Sequence, residues 1–247
     1  MRRFVIADIH GRIEALLQVL QQSNFDYDDD KLIVLGDVND GGKDTFLVVE
    51  ELLKIKNLIF VLGNHDELFI RFMNQGFTGE IWIQQGGSNT LRSYGAEVIV
   101  GKDIIHRSHI DTSSLNIPVT HQLFFNSAIP YYIEDNMLFV HGGYDPELPI
   151  EENKLHTLLW DRELIKKVIE GYEINDYRRV YVGHTATSII ANKRGFNSPI
   201  ILKNLRCVDC GSGWDGKLCL TDIDTEEVWL SDRQIPAIEV QHVQEQD

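Results

Sequence analysis

The sequence is poor in cysteine, in basic residues and in long apolar runs, and each shortage excludes something. Three cysteines, Cys207, Cys210 and Cys219, are odd in number and lie near the C-terminus, so no disulfide framework is expected. Cys207-Val208-Asp209-Cys210 has the C-x-x-C spacing, but no second pair follows it. It reads as strand sequence in a reducing compartment rather than as a zinc or redox site. Lys and Arg total 23 against 38 Asp and Glu, a formal net charge of −15. No basic cluster is available to neutralise a row of phosphates, which argues against a nucleic-acid partner. No apolar run approaches the roughly 20 residues needed to span a bilayer, so no membrane association is expected. Met1-Arg2-Arg3 is followed too soon by Asp8 and His10 for a signal peptide, and a cytoplasmic location is expected. There is no G-x-x-x-x-G-K-[ST] phosphate loop. There is also no internal repeat and no Pro/Ser-rich linker. One domain over residues 1–240 is the simplest organisation, with 76–130 as a helical cap insertion and 241–247 as a frayed tail.

Five short apolar runs each end in a metal-ligand residue. Phe4-Val5-Ile6-Ala7 leads into Asp8-Ile9-His10-Gly11, and Leu32-Ile33-Val34-Leu35 into Gly36-Asp37-Val38-Asn39-Asp40. Leu58 to Leu62 leads into Gly63-Asn64-His65-Asp66, Met137 to Val140 into His141-Gly142-Gly143, and Val180 to Val182 into Gly183-His184-Thr185. Helical spacing of Ile13, Leu16, Leu17 and Leu20, then of Phe46, Val49, Leu52 and Leu53, separates the first three runs. This β-α-β-α-β rhythm implies an α/β fold with a partly parallel sheet. Ligands of such sheets gather outside the carboxyl ends of the strands, where these motifs sit.

One strand end with a polar residue means little; five imply one rim that collects Asp, His and Asn, the donors suited to Mn, Fe or Zn. Asp8 and His10, two apart, can point into one site. Asp37 has two carboxylate oxygens and can bridge two cations. Asn64, His141 and His184 would complete the second. Two cations can clamp a phosphoryl group and lower the pKa of a shared water, and the resulting hydroxide is expected to attack phosphorus in line. His65 is placed to protonate the leaving oxygen, with Asp40 holding its imidazole. His106, His109, His121, His156 and His242 lack this context and read as surface or satisfied core residues.

At these residues the chain resembles the phosphoprotein phosphatase branch of the calcineurin-like metallophosphoesterases, whose motifs run GDxHG, GDxxDRG, GNHE, HGG or HAD, and GHT. Here they read ADIHG, GDVNDGG, GNHD, HGG and GHT in the same order. The likeness is strongest to bacterial and phage serine/threonine phosphatases and symmetrical diadenosine tetraphosphate hydrolases. It extends to Trp82-Ile83-Gln84-Gln85-Gly86-Gly87 and to Leu158-Leu159-Trp160-Asp161-Arg162-Glu163. The resemblance implies a β-sandwich of mixed sheets flanked by helices, with a binuclear centre. It assigns Asp8, His10 and Asp37 to one metal, and Asp37, Asn64, His141 and His184 to the other. His65 and Asp40 form the acid pair, and Arg162 and Asn64 contact the substrate phosphate. The implied activity is metal-dependent hydrolysis of a phosphorylated protein or small phosphomonoester. Hydrolysis of a dinucleoside polyphosphate is the alternative, and a catalytically silent metal-binding scaffold the third reading.

Three positions depart from the pattern. The arginine of GDxxDRG is Gly41, the arginine that often precedes GNHE is Leu62, and the glutamate of GNHE is Asp66. Lys43, Arg71 and Arg92 are candidates to replace the lost guanidiniums. Each charge-assisted contact contributes about 1.5–3 kcal/mol, so the grip on phosphate is expected to differ from that of relatives carrying both arginines.

Overall fold

The computed structural model describes residues 1–101 and 107–234. The tail expected over 241–247, and His106 and His242, lie outside the described residues. The first sheet takes β1 (Arg3–Ile6), β2 (Lys31–Leu35) and β3 (Asn57–Val61) in parallel. Their connections are α1 (Ile13–Gln22) and α2 (Thr45–Leu52), and α3 (Asn64–Gln75) follows β3. Next come α4 (Glu80–Trp82), a π-helical turn Ile83–Gly87, α5 (Ser88–Ser93), β4 (Glu97–Ile99), β5 (His109–Asp111) and α6 (Val119–Asn126). The second half runs β6 (Tyr132–Glu134), β7 (Met137–Phe139), α7 (Leu155–Trp160), α8 (Glu163–Ile169), β8 (Arg179–Val182) and α9 (Thr187–Ile190). It ends with β9 (Ile200–Leu202), β10 (Leu205–Cys207), β11 (Cys219–Asp222) and β12 (Val228–Leu230).

Two five-stranded sheets result, with strand orders β12-β11-β1-β2-β3 and β6-β7-β8-β10-β9. Both are mixed. Antiparallel β11 and β12 extend the parallel trio, while β7, β8 and β10 are parallel between antiparallel β6 and β9. Strand alternation explains the layering. On β1 and β2, Phe4, Ile6, Leu32 and Val34 pack under the helices. Val5, Ala7, Ile33 and Leu35 face the other sheet, where Met137, Phe139 and Tyr181 meet them. Leu138, Val140, Val180 and Val182 turn to the helices of the second sheet. The central strands of both sheets are thus buried on both faces, which is why they read as unbroken apolar runs, whereas outer strands β6, β9 and β12 are only partly covered. The architecture is a β-sandwich of mixed sheets flanked by helices. Among the described residues no helix is long and apolar enough to cross a membrane.

The 76–130 segment is not wholly helical: β4 and β5 form a two-stranded antiparallel sheet. Only Val98 of its three β4 residues is buried, too short an alternation to separate from irregular chain. The segment is fastened to the body through His121, which is fully buried. Its Nδ1 lies 2.9 Å from the Tyr94 hydroxyl and its Nε2 2.7 Å from Glu50 Oε1. It is a satisfied core histidine.

Candidate metal centre

The loops that leave the strands are laced together. The amides of Asp8, His10 and Gly11 donate to the carbonyls of Gly36, Asp37 and Val38 at 3.1, 2.9 and 2.8 Å. Gly183 N–H donates to His141 O at 2.8 Å, continuing the β7–β8 pairing to the rim, and the His184 amide donates to Asp8 Oδ2 at 3.1 Å, tying the second sheet to the first. Asp8, His10, Asp37, Asp40 and His184 all have left-handed backbones, with φ between 50° and 67°. Such conformations cost roughly 1–3 kcal/mol each for non-glycine residues and concentrate at functional sites. At Gly36, φ is +77° and an added Cβ would sit 2.4 Å from Gly63 N. Only glycine lets these two loops approach so closely.

Two donor clusters form. The ligating atoms of Asp8, His10 and Asp37 lie within 4.8 Å of one another, and so do those of Asp37, His141 and His184. Asp37 belongs to both. Asn64 joins the second, its Oδ1 3.0 Å from His141 Nε2. His10 Nδ1 faces the Asn39 carbonyl at 3.0 Å, and His141 Nδ1 the Leu35 carbonyl at 2.6 Å. A carbonyl only accepts, so each Nδ1 carries the proton and each Nε2 turns toward the cluster. His10 Nε2 lies 3.7 Å from Asp37 Oδ2, and His141 Nε2 lies 3.4 Å from the same atom. His184 Nε2 is buried and makes no hydrogen bond among the described residues.

For two of the three histidines the metal-free electrostatics already favour the ligand form. Burial pushes His10 down to about 4 and His184 to about 3, leaving both rings neutral as ligands must be. Burial, then Asp209 and Asp37, raises Asp8 well above the usual carboxylate range. Burial, with only partial relief from the Gly211 amide, lifts Asp209 to about 6. Burial opposes the charge on His141, but Asp37 outweighs it and raises that imidazole. Buried carboxylates, imidazole lone pairs and an amide oxygen converge with few donors between them. That set fits divalent cations held by oxygen and nitrogen.

Beside the clusters, His65 Nδ1 lies 2.6 Å from Asp40 Oδ2. Burial disfavours the imidazolium, but Asp37 and Asp40 more than offset it and lift His65 to about 9. Asp40 is fully buried and pinned by three further donors. Trp82 Nε1–H reaches Oδ2 at 2.8 Å; the Thr90 hydroxyl and the Asn39 amide reach Oδ1 at 2.6 and 2.9 Å. Sequence reasoning names Trp82 in the cap and in the family-like segment Trp82–Gly87 but gives it no role at Asp40, and it assigns none to Asn39 or Thr90. Asn39 stands next to Asp40, which was a usable signal, whereas nothing local pairs residue 40 with 82 or 90.

Asp66 serves the loops. Its Oδ2 accepts the amides of Asp37 and Gly63 at 2.7 and 2.9 Å, and its Oδ1 accepts that of Val38 at 3.0 Å. Burial and the nearby Asp37 lift it to about 7. Asp66→Ala would strand three buried N–H groups at about 1–3 kcal/mol each. Urea unfolding of the metal-free variant should show a loss of roughly 3 kcal/mol or more; a midpoint equal to wild type would contradict this role.

The clusters floor a cavity of about 300 Å³ whose wall includes Gly41, His65, Gln85, Arg162 and Trp214. Arg162 makes no hydrogen bond or ion pair with any described residue, so its guanidinium is available to an anion there. Lys43, Arg71 and Arg92 do not line this cavity. Arg71 stacks over Phe77 at 4.2 Å, and Arg92 donates to the Val98 carbonyl at 2.8 Å. Leu62 is buried, its amide bonded to Ile129 O at 2.8 Å. Gly41 does line the cavity, at φ +67°, and an added Cβ would press on His10 Cβ at 3.1 Å and Gly213 O at 3.2 Å, so a side chain there needs both to give by a few tenths of an ångström.

Residues 1–243 match the family model described as calcineurin-like phosphoesterase. A serine/threonine-protein phosphatase 2 from Salmonella typhimurium is 32% identical over 188 residues, 72% of this chain and 85% of that protein. A symmetrical bis(5'-nucleosyl)-tetraphosphatase from Buchnera aphidicola is 39% identical over 67 residues, 27% of this chain and 24% of that protein. The solved structure of a metallophosphoesterase from Sphaerobacter thermophilus covers 96% of this chain and 89% of its own at a TM-score of 0.55. At 17% identity that is a likeness of fold.

Proposed function

We propose, from the premise that this chain belongs to the calcineurin-like phosphoesterase family, that it hydrolyses phosphomonoesters on a protein or a small molecule. The supporting observation is that two donor clusters share Asp37 beside the Asp40–His65 pair. Asp8, His10 and Asp37 would hold one cation, and Asp37, Asn64, His141 and His184 the other; Mn, Fe and Zn all suit these donors. Two such cations supply Lewis acidity at phosphoryl oxygens and lower the pKa of a bound water.

The chain's own residues do the rest. Arg162, with Asn64, would orient the phosphoryl group through charge-assisted and amide hydrogen bonds. His65, with its Nδ1–H committed to Asp40, would present its other N–H to the leaving oxygen and protonate it. Trp82, Thr90 and Asn39 hold Asp40 in one position, so the imidazole is oriented before substrate arrives. The buried free cysteines suit a reducing compartment such as the cytoplasm.

A second reading, dinucleoside polyphosphate hydrolysis, is favoured by Arg162 being the one arginine or lysine among the described residues of the cavity wall. A scissile phosphate of a polyphosphate diester carries less charge than a monoester dianion and needs less neutralisation. With Mn²⁺, inorganic phosphate released from p-nitrophenyl phosphate and a phosphothreonine peptide supports the first reading. ADP released from diadenosine tetraphosphate, with neither monoester cleaved, supports the second. Metal binding with no turnover on any of them would leave the silent scaffold.

Gly41→Arg tests the phosphate grip. The left-handed backbone should lower stability by about 1–2 kcal/mol. A recovered charge-assisted contact should lower KM for the monoester by roughly tenfold or more. An unchanged KM in the folded variant would refute the idea that this guanidinium is what the site lacks.

A further inference from the structure

The rim of the cavity is apolar where the floor is ionic. Trp214 is 67% exposed, and so is Ile189 on α9. Both line the metal cavity. Trp214 also forms a wall of an adjoining cavity of about 350 Å³, lined by Gln84, Gln85 and Asn89. Gly41, Gln85, Gly213 and Trp214 are common to the two spaces. The backbone that carries the indole is a closed turn, in which the amides of Trp214 and Gly216 donate to Gly211 O at 3.1 and 2.9 Å. That turn abuts His10, whose ring lies against Gly213. The loop that backs a proposed metal ligand therefore also holds a tryptophan face open at the mouth.

We infer that Trp214 is a specificity-determining residue that stacks a planar aromatic group carried by the substrate next to its scissile phosphate. This rests on the phosphoesterase reading of the same site. The charged groups of the floor would serve the phosphoryl group alone, and an alkyl phosphate would leave the indole and Ile189 wet. A flat π-system entering between Trp214 and the amide side chain of Gln85 covers the first and meets polar groups of the second cavity. Stacking on an aromatic side chain is sequence- and substituent-tolerant and strong enough to shift affinity by about tenfold or more. The aromatic group could be an aryl ester or a nucleobase, since both present the same π-face.

Calorimetric binding to the Mn²⁺-loaded full chain tests this without relying on turnover. Two matched pairs with uncleavable C–P bonds serve as probes: phenylphosphonate against methylphosphonate, and the 5'-methylenephosphonate analogue of adenosine 5'-monophosphate against that of ribose 5-phosphate. Wild type should prefer the aromatic member of at least one pair by about tenfold, and that pair identifies the source. Trp214→Ala should abolish the preference while leaving the affinity for the non-aromatic member unchanged, and Trp214→Phe should retain most of it. Equal affinity within both pairs, or a preference that survives Trp214→Ala, overturns the inference and leaves the phosphoesterase reading standing. Failure of every probe to bind overturns both.

Discussion

His65→Asn should lower kcat for an alkyl phosphate by about 10²–10⁴-fold and leave KM close to wild type. The reason is where the imidazole acts. It lines the cavity and gives its Nδ1–H to Asp40 at 2.6 Å, so what remains for substrate is a single N–H. That donor matters when the leaving oxygen gains charge, which happens in the transition state and not in the bound ester. Asp40→Asn should produce a loss of the same order. It removes the anion that sustains the imidazolium and turns an amide group toward the donors of Trp82, Thr90 and Asn39. The diagnostic is the leaving group. p-Nitrophenolate departs without a proton, so both variants should retain far more activity on p-nitrophenyl phosphate than on an alkyl phosphate. Equal losses on the two substrates would remove His65 from proton donation.

Asp37→Ala should be the most damaging single change to turnover. This carboxylate is common to both donor clusters, and its Oδ1 also accepts the His65 amide at 2.9 Å. Losing it separates the clusters and loosens the acid. The electrostatic stabilisation forfeited is several kcal/mol, a rate factor of about 10³ or more. Elemental analysis should find metal content falling from two per chain to one or none. The fold should survive, since Asp66 still ties the Asp37 and Val38 amides to Gly63. A variant that keeps two metals and near-wild-type kcat would contradict the bridging role.

The placing of these side chains on one rim was legible in the sequence because each proposed ligand follows closely on its strand. An apolar run that stops at Asp8 or His141 marks both the strand and the place where its chain reaches the rim. The runs themselves implied only a partly parallel α/β sheet, and the sandwich came from the motif resemblance; strands such as Phe4 to Ala7 are in fact covered on both faces. What sequence could not supply are contacts made across the fold. Asp40 and Trp82 are 42 residues apart, and no periodicity pairs them. Nor could residue type say which cations face the cavity. Lys43, Arg71 and Arg92 were equal candidates, yet Arg71 is taken by the Phe77 ring and Arg92 by the β4 carbonyl of Val98. The π-helical turn Ile83–Gly87 depends on Gly86, whose φ of 116° brings it over Gly41. That close approach explains why the WIQQGG segment belongs to the site at all. The β4–β5 pair was missed because three-residue strands carry too little alternation to be read.

The central claim is that hydrolysis depends on two cations sharing Asp37. The measurement that tests it most directly is p-nitrophenyl phosphate turnover by exhaustively chelated protein during stepwise return of Mn²⁺. The account predicts no turnover in the chelated protein and full activity at two Mn²⁺ per chain, with Asp37→Ala inactive throughout. Undiminished turnover after chelation, or full activity at one cation per chain, would contradict it.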